Sequence, residues 1–267
     1  MDRLELGQGM PKICIPIVEK TETEILGFAA KLRDSVADLV EWRVDYFEQM
    51  MDLAAVQKLC TELQKILGEK PILFTIRTTA EGGEVEISFE KYAEILKSVA
   101  VLPAVSYIDV EIYSGSRGQN ENAWADTEAT CHDGVRELVK ELRKEVCVIG
   151  SYHDFAQTPS QEEISRRLLG SHRLGADVPK LAVMPHSRAD VMALMETTMN
   201  IKEELAAVPL ITMSMGDLGK ISRIAGESFG SALTFGCIGK ASAPGQIEAD
   251  CLKQTLQMLH VETVVNL

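Results

Sequence analysis

Lys180 stands inside VPKLAV (178–183), a run of otherwise apolar residues that reads as a buried strand. A buried ammonium costs several kcal/mol unless it is paired or gives up its proton. Desolvation and neighbouring cations bring a lysine down from about 10.4 toward about 7–8, and the neutral amine attacks a carbonyl to form a Schiff base. The protonated imine is an electron sink that acidifies the adjacent carbon, so this chemistry needs a proton carrier. His153 in SYHDF (151–155) is the available one, with an ordinary pKa of about 6.5. Glu81 in TAEGGE (79–84) can orient the imidazole and stabilise its charged form, with Gly82 and Gly83 allowing a sharp turn. Val178, Leu181, Ala182 and Val183 are expected to keep water from the amine.

Further charges fall inside apolar strand-like runs: Glu41 and Arg43 in VEWRVD, Arg77 in FTIRT, Asp109 and Glu111 in YIDVEIY, and Asp154 beside His153. Residues i and i+2 of a strand share a face, which pairs Glu41 with Arg43 and Asp109 with Glu111. A structural ion-pair network is the alternative reading of alternating Arg and Glu. It accounts least well for Lys180, whose own strand offers one nearby acid. The six cysteines make no CxxC and read as reduced, mostly buried thiols, and the five histidines make no HxxxH, so spacing gives a metal site no support. A net charge of −13 argues against nucleic acid or an anionic membrane as partner. An anionic ligand must then be captured by a few local cations.

These residues need elements to position them. Eight short apolar runs recur, at 13–18, 38–45, 71–78, 106–113, 146–154, 178–185, 209–215 and 232–239, each followed by a stretch of helical periodicity. Thr21, Ser88, Asp133, Ser160 and Ser187 are placed to cap helices, with capping boxes expected at Thr21–Glu24 and Ser160–Glu163. Eight such units in one chain, with no glycine fingerprint after the first strand, predict an α/β fold: a single (β/α)8 barrel over 1–267, whose charged strand ends gather at the C-terminal mouth. Residues 1–10 are expected to add a short strand closing the barrel bottom. The polar stretch 114–133, with Trp124, reads as an exposed insertion. No apolar run approaches the length of a membrane span and the N-terminus has no leader-like apolar region, which predicts a soluble, cytoplasmic protein.

Taken together, EWRVD (41–45), FTIRT..EGGE (74–84), SYHDF..TP (151–159), DVPKLAVMP (177–185), MSM (213–215), ISR.AGE.FGS..TF (221–235) and ASAPGQ (241–246) resemble the type I 3-dehydroquinate dehydratase family. The resemblance implies a homodimeric barrel that dehydrates 3-dehydroquinate to 3-dehydroshikimate without metal or cofactor. It implies imine formation at Lys180, proton transfer by His153, and Glu81 as the partner acid. Glu41, Arg43 and Arg77 would then hold ring hydroxyls, Arg223 the substrate carboxylate, Ser242 and Gln246 would belong to a lid, and Met213, Met215 and Phe235 would form apolar lining. Pro16 stands where many members have a serine, so that contact is expected to be missing. A Schiff-base aldolase on the same barrel, or a non-catalytic barrel binding a shikimate-pathway acid, are the alternatives.

Overall fold

The computed structural model describes residues 4–113 and 133–261. Eight parallel strands alternate with helices: β1 (Lys12–Ile17), β2 (Leu39–Arg43), β3 (Ile72–Thr75), β4 (Tyr107–Glu111), β5 (Cys147–Asp154), β6 (Val178–Val183), β7 (Ile211–Ser214) and β8 (Leu233–Cys237). Between and after them run α1 (Glu22–Arg33), α2 (Leu53–Leu67), α3 (Phe89–Ala100), α4 (Asp133–Leu142), α5 (Gln161–Arg173), α6 (Arg188–Glu204), the short α7 (Lys220–Ile224) and α8 (Gly226–Phe229), and α9 (Ala249–Leu259). Seven of the eight strands fall within the windows expected from sequence, and β1 begins one residue earlier, at Lys12.

The sheet runs in the order β7-β6-β5-β4-β3-β2-β1-β8 and curls until its ends meet. A parallel bridge joins Leu210 to Ser231, and Ala232 N donates to Leu210 O at 2.7 Å. Ser231 Oγ reinforces the seam, accepting from Thr212 N and donating to Thr212 O, each at 3.0 Å. The result is the expected barrel. A two-residue strand, β9 (Ile247–Glu248), pairs with the end of β8 and was not foreseen.

Strand alternation sorts side chains into two cores. Ile15, Val40, Phe74, Ile108, Val148, Leu181 and Val183 face outward and pack with the helices. Cys14, Leu39, Leu73, Tyr107, Ile149, Val178, Ile211 and Leu233 face inward and fill the barrel below the charged layer. Burying an aliphatic side chain of this size contributes about 2 kcal/mol, so the inner plug is a stable floor for what lies above it. Leu181 and Val183 therefore do not surround the lysine: only Val178 and Ala182 share its inward face.

Residues 4–10 form no strand. Leu4 and Leu6 instead pack against the inner core from below, and Tyr107 Oη donates to Leu4 O at 2.7 Å. The bottom is closed by apolar side chains on irregular backbone. Thr21, Ser88, Ser160 and Ser187 cap their helices as expected. Thr21–Glu24 is a full capping box, whereas Ser160 caps alone because the Glu163 carboxylate pairs with Arg166 and Arg167. A second box forms at Ser187–Asp190. The side chain of Asp133, the insertion at 114–132, Trp124 and Cys131 lie outside the described residues; the other five cysteines are free, four of them buried.

Candidate active site

The inward positions at the C-terminal ends of the strands carry charge. On β6, Lys180 is 4% exposed, and its Nζ donates to Asp109 Oδ2 of β4 at 2.8 Å. The amine thus has a carboxylate partner two strands away, and not the acid of its own strand. The Phe235 ring lies 4.8 Å from Nζ. Asp109 is itself shared: Arg77 Nη2 donates to its Oδ1 at 2.7 Å and Ser151 Oγ at 2.6 Å. Arg77 Nη1 reaches Glu111 Oε1 at 3.0 Å, and Glu111 also accepts from Thr78 N and Thr78 Oγ1. Burial acts to raise Asp109, but Arg77 and Lys180 outweigh it and hold the carboxyl below the ordinary range. Burial likewise opposes the charge on Arg77, which the surrounding acids keep firmly protonated. The alternating charges therefore form the ion-pair network that was the alternative reading, and Lys180 is part of it.

His153, on β5, is held by Glu81. The turn after β3 carries this acid on a single 3-10 turn at 79–81, where Glu81 Oε2 accepts from His153 Nδ1 at 2.9 Å and from His153 N at 3.0 Å. With Nδ1–H directed at the carboxylate, Nε2 is left as the acid–base atom. Burial, then Arg77 and Lys180, hold His153 well below its ordinary value, so the resting imidazole is neutral at neutral pH. The turn is tight: a Cβ on Gly83 would lie 1.9 Å from Arg77 O, and Gly82 takes φ +80° beneath the Phe155 ring. These two glycines are needed for the turn that delivers Glu81.

Around the mouth, Thr75 Oγ1 donates to Glu41 Oε1 at 2.9 Å, and Arg43 forms a two-pronged pair with Asp45 at 2.7 and 2.8 Å. Arg223, on α7, is 1% exposed and has no acidic partner among the described residues. Its Nη2 donates to Pro244 O at 2.9 Å and its Nη1 lies 3.5 Å from Phe235 O and 3.8 Å from Met213 Sδ. Burial pulls this guanidinium down to about 10. Ser242 and Gln246 brace the loop after β8, Ser242 N donating to Gln246 Oε1 at 2.8 Å and Gln246 Nε2 to Ser242 Oγ at 2.9 Å.

Many of these groups line one cavity of about 520 Å³, open to solvent at the mouth. It brings together Lys180, His153, Glu81, Glu41, Arg43, Arg77, Arg223, Ser242, Gln246, Met213, Met215 and Phe235, which is every site residue expected from sequence. Gly82, Phe155, Ala182 and Ala243 complete the lining; Ala182 was expected beside the amine and Gly82 in the turn, whereas Phe155 and Ala243 were not foreseen. Phe155 had a signal, since it is an aromatic next to a strand-end His-Asp pair. Pro16 faces Glu41 across the β1–β2 ladder and does not line the cavity. Among the described residues, no group of three or more His, Cys, Asp or Glu side chains is placed to hold a metal ion, and no helix is long and apolar enough to cross a membrane.

The fold is that of a barrel enzyme, and its mouth gathers a buried lysine, a histidine and an arginine without an acidic partner among the described residues. The family model for type I 3-dehydroquinase matches residues 13–263, and the chain belongs to that family, whose members are hydro-lyases. It is 45% identical over 254 residues to the 3-dehydroquinate dehydratase of Listeria monocytogenes, covering 95% of this chain and 94% of that one. Its identity to the 3-dehydroquinate dehydratase of Syntrophotalea carbinolica is 43% over 258 residues, covering 96% of each. Among solved structures, the type I 3-dehydroquinate dehydratase of Clostridium difficile, carrying covalently modified comenic acid, superposes with a TM-score of 0.85 at 41% identity, covering 96% and 94% of the two chains. The Enterococcus faecalis 3-dehydroquinate dehydratase gives 0.83 at 36% identity, covering 97% and 98%.

Proposed function

We propose that this protein dehydrates 3-dehydroquinate to 3-dehydroshikimate through an imine on Lys180. The observation that carries the reading is the convergence of Lys180 Nζ, a neutral His153 and the acid-free Arg223 on one cavity. A buried guanidinium without a carboxylate of its own fits a substrate carboxylate, which it can bind through two parallel hydrogen bonds. With that end fixed, Lys180 attacks the C3 ketone and the carbinolamine loses water to give the iminium. Asp109, already at 2.8 Å from Nζ, faces the positive charge before and after attack.

His153 then removes a proton from C2, and the electron pair moves into the iminium to give an enamine. The imidazolium, stabilised by Glu81, returns its proton to the departing C1 hydroxyl, so that water leaves and the ring double bond forms. Hydrolysis of the conjugated imine frees the amine; the net change is loss of one water from the substrate. Glu41, Arg43 and Arg77 orient the ring hydroxyls, while Met213, Met215 and Phe235 give an apolar wall. The scheme draws on side chains alone. The protein works as a single-domain cytoplasmic homodimer in this reading, which follows from its membership of the family. Incubation with 3-dehydroquinate is expected to produce the absorbance of a conjugated enone, and its absence at high enzyme concentration refutes the assignment.

A further inference from the structure

The aspartate of EWRVD, Asp45, lies just outside the cavity and lines none of it, yet it is 6% exposed and its side chain is fully buried. Both its oxygens are used twice. Oδ1 accepts from Arg43 Nε at 2.8 Å and from Arg77 N at 3.2 Å; Oδ2 accepts from Arg43 Nη2 at 2.7 Å and from Glu84 N at 3.2 Å. The two arginine contacts fix one edge of the guanidinium, and the Tyr46 ring lies 5.0 Å from its carbon. Nη1 is the nitrogen left over for a ligand in the cavity. The two backbone contacts bracket the turn that carries Glu81. That turn is closed across its neck by Thr79 N to Val85 O at 2.9 Å and Gly83 N to Thr78 O at 2.8 Å.

We infer that Asp45 is a positioning residue for the reaction, setting the substrate-facing arginine on one side and the turn that holds Glu81 against His153 on the other. The inference rests on the dehydratase reading and adds to it a residue that touches neither substrate nor reacting atoms. Asparagine at position 45 keeps one acceptor, for Arg43 Nε and Arg77 N, but turns an N–H₂ toward Arg43 Nη2 and Glu84 N, donor against donor. Both functions are damaged together.

The test is steady-state kinetics on 3-dehydroquinate for wild type, Asp45→Asn, Arg43→Gln and the double variant. Asp45→Asn is expected to raise KM about tenfold, the loss associated with one charge-assisted hydrogen bond, and also to lower kcat through the Glu81 turn. On the Arg43→Gln background the same change should leave KM unaltered while still lowering kcat, because the arginine it oriented is gone. An unspecific structural role would raise KM equally on both backgrounds and so overturn the inference, as would wild-type kinetics for Asp45→Asn. The comparison of Arg43→Gln with the double variant decides the matter even if Asp45→Asn alone is recovered unfolded. A wild-type protein inactive on 3-dehydroquinate would instead refute the dehydratase reading itself.

Discussion

Replacing Arg223 with methionine should make the protein more stable and less active. In the ligand-free protein this guanidinium is 1% exposed and has only carbonyls and a thioether beside it. Burial brings it well below the ordinary guanidinium range, to about 10; at about 1.4 kcal/mol per tenfold, keeping the charge there costs roughly 3 kcal/mol. Methionine removes that cost and retains most of the volume, but leaves the Pro244 and Phe235 carbonyls with fewer donors, worth about 1–2 kcal/mol. The net expectation is a gain of about 1 kcal/mol, or roughly 2 °C in melting temperature for a chain of this size. The sign follows from linkage: a cation whose folded value is depressed disfavours folding fully below about pH 10, and the penalty fades as pH rises above 10 toward the ordinary guanidinium value. Activity goes the other way. Loss of a two-pronged pair to the substrate carboxylate removes about 3 kcal/mol of binding, on the order of a 100-fold drop in kcat/KM. Urea denaturation near pH 7 and pH 11 alongside kinetics measures both. A variant that is less stable, with the deficit unchanged by pH, would refute the argument that Arg223 is held ready for an anion; so would one that keeps its kcat/KM.

Because His153 is held well below 6.5, the basic imidazole persists as pH falls. The kcat/KM profile should stay level through pH 6.5 and bend only at lower pH, whereas a break at 6.5 would contradict a buried, neutral base. The same depression means that folding must exclude a proton the unfolded chain binds below about 6.5, so this residue's share of stability falls as pH drops below that value. Gly83→Ala would bring a methyl group against Arg77 O and force the turn open; kcat should fall at least tenfold with little change in melting temperature, and unchanged kcat would show that the turn does not need that approach.

The barrel was readable because strand burial is written in each segment by itself. A charge inside VPKLAV or YIDVEIY has few explanations, and the C-terminal position of those charges pointed to one mouth. What a single strand cannot show is its neighbour across the barrel. Lys180 looked unpaired because its partner, Asp109, sits two strands away and approaches through the stagger of β4, β5 and β6. Asp45 was quoted within a motif without a role, since its use depends on where the backbone of residues 77 and 84 comes to rest. The strand expected before β1 failed for a related reason. An apolar alternation such as LEL serves a strand edge or a plug equally well, and here Leu4 and Leu6 meet the inner core without pairing. Glu163 satisfied the spacing of a capping box but faced two arginines one turn on, and the ion pairs took it.

The central claim is a covalent bond at one nitrogen. Borohydride added during turnover of 3-dehydroquinate should reduce the imine to a stable secondary amine, seen as a substrate-derived increase in intact mass and mapped by peptide analysis to Lys180. Lys180→Ala, folded by circular dichroism, should show neither adduct nor turnover. Loss of substrate without any adduct in the wild type, or an adduct on another lysine, would contradict the account.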